Sequence, residues 1–98
     1  MIFSFGVSFM RAIVTVTGKD RKGIIAEVCS FLAQQNCNIL DINQTVMQEF
    51  FTMTMLIDTA DCTVPFDELS SILSENGRRS ALSIRVQRED IFNAMYEI

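Results

Sequence analysis

The 98-residue chain contains no histidine and no tryptophan, a single proline, and eight lysines and arginines against twelve aspartates and glutamates. The missing histidines exclude Ser–His and Cys–His nucleophile activation, the commonest general base and the usual zinc ligand. The shortage of positive charge, a formal net of −4, argues against nucleic acid as a direct partner, because neutralising phosphates needs a basic surface. Long apolar runs are missing too. Met1 to Phe9 are apolar and carry no Lys or Arg, but a membrane span needs ~20 such residues. They also lack the basic start, longer apolar stretch and small-residue cleavage site of a signal peptide. No membrane partner is expected. The three cysteines, Cys29, Cys37 and Cys62, are odd in number and show no C-x-x-C spacing. They read as reduced thiols of a cytoplasmic protein. The acceptor-like Asn43-Gln44-Thr45 is a chance match with no export signal behind it.

What is present is a globular composition. The hydrophobic fraction is 49% with 20% charged, which fits one domain that buries about two-thirds of its unfolded surface. Regular patterning begins at Met10. Residues 1–9 are therefore read as a leader and residues 10–98 as the domain, with Met10 a candidate natural start. An extra strand or a tail are the alternatives for the leader.

Ala12, Val14 and Val16 alternate with Ile13, Thr15 and Thr17, a strand signal. A polar loop, Gly18 to Gly23, follows, and Asp20 is a candidate N-cap for a helix to about Gln35. Ile25, Val28, Cys29 and Leu32 recur at helical spacing, with Ile24 and Phe31 widening the stripe. Asn36 suits the left-handed conformation at a helix end. Asn38 to Gln48 reads as a second strand, interrupted by Asp41, Asn43 and Gln44. Beyond a turn near Glu49, Phe51, Met53, Met55 and Ile57 share one face of a third, and the two form a hairpin.

Pro65 suits the first position of a second helix, whose first turn carries Asp67 and Glu68. Phe66, Leu69, Ile72 and Leu73 form its apolar stripe, and Gly77 reads as its stop. Leu82, Ile84 and Val86 mark a fourth strand. Ile91, Phe92, Met95 and Ile98 lie on one side of a short C-terminal helix that is unstable alone. The order predicts an α+β, ferredoxin-like βαββαβ sandwich: a four-stranded antiparallel sheet, two helices on one face and an amphipathic tail helix.

The strand-to-helix passage Val14-Thr15-Val16-Thr17-Gly18-Lys19-Asp20-Arg21-Lys22-Gly23-Ile24-Ile25-Ala26-Glu27-Val28 resembles the opening of an ACT domain. Asn38-Ile39-Leu40-Asp41-Ile42 resembles the start of that family's second strand. Val86 to Met95 looks like the ending of a subgroup of small, stand-alone ACT-domain proteins. The likeness runs over roughly residues 10–98. Asn76 to Leu82 departs from it by being more basic than the subgroup.

The resemblance implies allosteric binding of an amino acid or related metabolite at an interface between paired domains, hence a homodimer. It assigns ligand binding to Gly18, Asp20, Arg21, Gly23, Ile24 and Asn38. Gly23 admits a ligand to helix N–H groups that attract a carboxylate. Asp20 offers an oxygen to an α-ammonium, and the Asn38 amide both donates and accepts. Each has a structural alternative: a tight turn for Gly23, a helix cap for Asp20, a strand-start turn for Asn38, and solvated loop charge for Arg21 and Lys22. Met47, Met53 and Met55 read as filling beneath the helices, with no metal role.

No cofactor is expected and no catalytic residue is identified. With no attached catalytic domain, such a module signals in trans, through a protein partner the sequence does not name. The tail residues Ile91, Phe92 and Met95 are its candidate interface. The rivals are an adaptor in transcriptional regulation and an acylphosphatase-like hydrolase using Arg21 and Asn38, whose loop lacks the form of a phosphate cradle.

Overall fold

The computed structural model describes residues 11–89. Along them lie β1 (Arg11–Lys19), α1 (Ile24–Gln34), β2 (Asn38–Met47), β3 (Phe50–Asp58), α2 (Phe66–Arg79) and β4 (Leu82–Arg88). The sheet order is β2-β3-β1-β4, and every neighbouring pair is antiparallel. This is the ferredoxin-like arrangement expected from the alternation of strands and helices. The leader, the candidate start at Met10, and the tail with Ile91, Phe92 and Met95 lie outside the described residues.

Register explains the core. Val14 sits opposite Met55 on β3 and Val86 on β4, and Val16 sits opposite Met53 and Ile84. Cross-strand partners share a face, so the alternate apolar residues of three strands make one continuous apolar surface. Ile24, Val28 and Leu32 of α1 and Leu69 and Leu73 of α2 close over it in a single cluster. Met53 and Met55 are both fully buried, each worth about 1.5–3 kcal/mol of transfer free energy. No polar side chain is buried among the described residues.

Several sequence readings shift here. The buried stripe of α1 runs through Ile24, while Ile25 is 37% exposed. One residue is about 100° of rotation on a helix, so the two isoleucines cannot both face the sheet squarely. The helix is capped by Gly23 and not by Asp20, with no side-chain cap bond. Pro65 is the N-cap of α2, one position before the first helical residue. Met47 is 69% exposed on the edge strand β2 and fills nothing beneath the helices. The hairpin turn and the left-handed Asn36 (φ 60°) stand as expected.

Gly77 is the clearest correction. It does not stop α2; it lies inside the helix and is buried. A Cβ there would meet Ile84 Cγ1 at 2.7 Å and the Leu82 carbonyl oxygen at 2.9 Å. The missing side chain lets α2 approach β4, and the helix continues to Arg79. Gly77→Ala would improve helix propensity by about 0.5–1 kcal/mol. The backbone oxygen cannot yield without parting helix from strand, and overpacking of that kind costs about 1–3 kcal/mol. Gly77→Ala is therefore expected to lower stability by about 1–2 kcal/mol, read as a reduced denaturant midpoint at unchanged m-value.

Candidate ligand site

The loop from β1 into α1 is held at both ends. The Asp20 N–H donates to the Glu49 carbonyl at 2.8 Å, tying the loop to the β2–β3 turn. Gly23 enters the helix in the left-handed conformation, φ 87°. A Cβ on Gly23 would meet nothing within 4 Å, so the corner is open to solvent. With no side-chain cap, the first-turn N–H groups and the positive end of the helix dipole face that opening. The Asp20 side chain is exposed there and makes no hydrogen bond to the described residues.

Arg21 is committed elsewhere. Its Nη2 donates to Glu27 Oε1 at 2.8 Å and to the Ser80 carbonyl at 3.0 Å. The Ser80 hydroxyl donates to Glu27 Oε2 at 2.8 Å. The three residues clasp the loop to the α2–β4 junction and leave the Glu27 charge compensated. The Arg21 hydrogen bond, then that from Ser80, hold the Glu27 carboxyl below its usual range. The sequence reading missed Glu27 and Ser80. Opposite charges six residues apart were a weak clue for one; the Arg21–Ser80 separation of 59 residues gave none for the other.

The remaining expected residues divide. Ile24 is a core side chain, 2% exposed, so only its backbone N–H belongs to the corner. Gly18 packs closely beside β4, opposite Leu82: a Cβ would lie 2.7 Å from Leu82 Cδ2. Asn38 lies at the other end of the sheet. It pairs with Asp58, which pairs with Arg11, whereas Gly18 pairs with Phe51. Seven strand residues separate those rows, about 23 Å. The cause is α1, whose eleven residues carry the chain about 16 Å back across the sheet before β2 begins. Within one protomer, Asn38 does not flank the helix N-terminus.

Two further surfaces stand out. A depression of about 330 Å³ on the outer side of α2 is lined by Ser71, Ile72, Glu75, Asn76 and Arg79, and contains none of the expected site residues. β2 is an edge strand with Leu40, Ile42, Val46 and Met47 all at least 39% exposed, and Phe50 follows the turn at 59%. Ile42 and Val46 pair with Met55 and Phe51, so they lie on the helix side of the sheet without being covered. Among the described residues no group of three or more His, Cys, Asp or Glu is placed to hold a metal ion, and no helix is long and apolar enough to cross a membrane.

The clasp has a pH signature. A carboxylate with a lowered folded-state pKa contributes stability that is complete above the unfolded value and lost as pH falls through the folded one. Carboxyl NMR should find Glu27 titrating below an ordinary glutamate, and Arg21→Ala should move it upward. Between about pH 6 and about pH 3, the native chain should lose more stability than Glu27→Gln. Equal losses would show that the clasp does not form in solution.

A protein-family model described as the ACT domain matches residues 11–87. A UPF0237 protein of Clostridium acetobutylicum is 52% identical over 89 residues, spanning 91% of this chain and all of that one. An ACT domain protein from Streptococcus pneumoniae superposes with a TM-score of 0.74 at 36% identity, over 91% of this chain and 96% of that one. A protein assigned as a glycine cleavage system transcriptional repressor gives a TM-score of 0.67 at 29% identity, over 80% of this chain but 44% of its own. With a family model matching most of its length and a relative identical at half its positions, the chain belongs to the ACT domain family.

Proposed function

We propose that this ACT domain is a regulatory module that binds a small polar metabolite, an amino acid before others, without converting it. The observation that carries the reading is the uncapped, open N-terminus of α1 at Gly23. Its N–H groups and dipole suit a carboxylate, and the unengaged Asp20 carboxylate beside it suits an ammonium group. An α-amino acid carries both. The absence of histidine from the chain and the engagement of Arg21 with Glu27 and Ser80 weigh against the phosphate-cradling hydrolase. A cytoplasmic location fits the three free thiols.

The same reading makes the module a homodimer. β2 runs from Asn38, at the far end of the sheet, to Met47, at the end that carries the α1 corner. Antiparallel pairing of β2 with a second copy about a two-fold axis therefore brings Asn38 of that copy to the level of Gly23. It would also cover Ile42 and Val46. A ligand at such a junction favours one arrangement of the pair over another, and that difference is what a protein partner would sense. Ile91, Phe92 and Met95 remain the candidate surface for that partner. An adaptor role in transcriptional regulation is the second reading, favoured by the likeness to the protein assigned as a glycine cleavage repressor.

Sedimentation and thermal shift test both parts. The chain should sediment as a dimer, and Val46→Asp should make it a monomer. One or more amino acids at 100 times the dissociation constant should stabilise the dimer by about 2.7 kcal/mol, and Val46→Asp should lose that response. No stabilisation by any amino acid at millimolar concentration removes the amino-acid reading. A native monomer removes the shared site.

A further inference from the structure

At the far end of the sheet, Cys37 Sγ lies 3.7 Å from Cys62 Sγ. One thiol belongs to the turn leaving α1, the other to the loop between β3 and α2. The segments that carry them are joined on both sides of the pair. The Thr63 N–H donates to the Gln35 carbonyl at 3.2 Å, and Asn36 Nδ2 donates to the Asp61 carbonyl at 2.8 Å. The left-handed Asn36 lets the Cys37 N–H reach back to the Leu32 carbonyl at 3.1 Å, and the Cys62 N–H is held by the Thr59 carbonyl at 3.1 Å. Both thiols are half-buried at the rim of the core. Two cysteines fixed in this way differ from scattered core thiols: closing to a bond length of about 2.0 Å asks for a small side-chain movement.

We infer that Cys37 and Cys62 form a reversible dithiol–disulfide couple that exchanges with low-molecular-weight disulfides. The Cys62 thiolate attacks one sulfur of the small disulfide, giving a mixed disulfide on Cys62 and releasing the first small thiol. Cys37, having lost its proton to solvent, attacks Cys62 Sγ and expels the second small thiol. Two protein thiols are oxidised, one small disulfide is reduced, and two small thiols leave. The order follows from the surroundings of Cys37. Burial, then its hydrogen bond to Cys62 and the neighbouring charge, push its thiol up to about 12, so it is not the sulfur that meets the oxidant. Once Cys62 is in mixed-disulfide linkage its thiolate no longer stands against Cys37, and that part of the upward push is gone. Cys29, within α1, takes no part. The inference does not depend on metabolite binding.

The test uses the full chain, reduced, equilibrated with oxidised glutathione at mildly alkaline pH, and quenched in acid. The expected product is a chain not covalently joined to another and lighter by two hydrogens, with Cys37 and Cys62 linked in a non-reducing peptide map and Cys29 open to alkylation. Its Tm should rise by roughly 10 °C, because the bridge closes a loop of 25 residues, and dithiothreitol should reverse both changes. Cys29→Ser should behave identically, whereas Cys62→Ser should form no internal bridge. A product with glutathione retained on Cys62 and Cys37 still free, a bridge to Cys29, or a bridge between two chains overturns the inference.

Discussion

The structure depends on one continuous apolar face shared by β3, β1 and β4 and closed by two helices. Once Val14 and Val16 are set opposite Met55 and Met53 on one side and Val86 and Ile84 on the other, little freedom is left to the layer above. α1 must turn Ile24 downward, and that rotation places Gly23 at the lip of the layer with its amides facing out. α2 must come close to β4, and only a glycine at position 77 allows it. The open corner is thus a product of core packing together with the left-handed glycine at position 23.

The helix layer is narrower than the sheet. It covers β4, β1, β3 and the start of β2, and leaves the far half of β2 bare, with Ile42 and Val46 on the covered side yet solvated. The loop at the corner, by contrast, is bound on two fronts, to the hairpin turn through Asp20 and to the α2–β4 junction through Arg21, Glu27 and Ser80. A tethered, open corner beside an unfinished edge is what the proposed recognition across an interface would require. Preorganisation of this kind reduces the ordering cost of binding.

The strands and their faces were legible in the sequence because half-buried strands alternate with period two, and β1, β3 and β4 do so cleanly. The fold followed from element order. What the sequence hid were choices between two physical roles of one residue type. Glycine signals both a helix stop and a close approach, and only the proximity of Ile84 and Leu82 decides for Gly77. Asp20 has cap chemistry, but Gly23 had already taken the cap through its left-handed backbone. Ile24 and Ile25 differ by one step of rotation, which local spacing does not resolve. Of the expected ligand corner, Asp20 and Gly23 are together as anticipated. Asn38 is not, because a helix long enough to cross the sheet separates it from them, and Arg21 is absorbed by partners that no local motif announces.

The two rims of the sheet are unlike. β2 presents Leu40, Ile42, Val46 and Met47, whereas β4 alternates its core residues with Ser83, Arg85, Gln87 and, at its end, Arg88. Edge strands invite endless strand-upon-strand addition unless something blunts them. In the proposed dimer the apolar rim of each copy would be used up by a single union, and the rim left facing outward would be the polar one that carries Arg85. A charged edge of that kind disfavours the addition of a further copy.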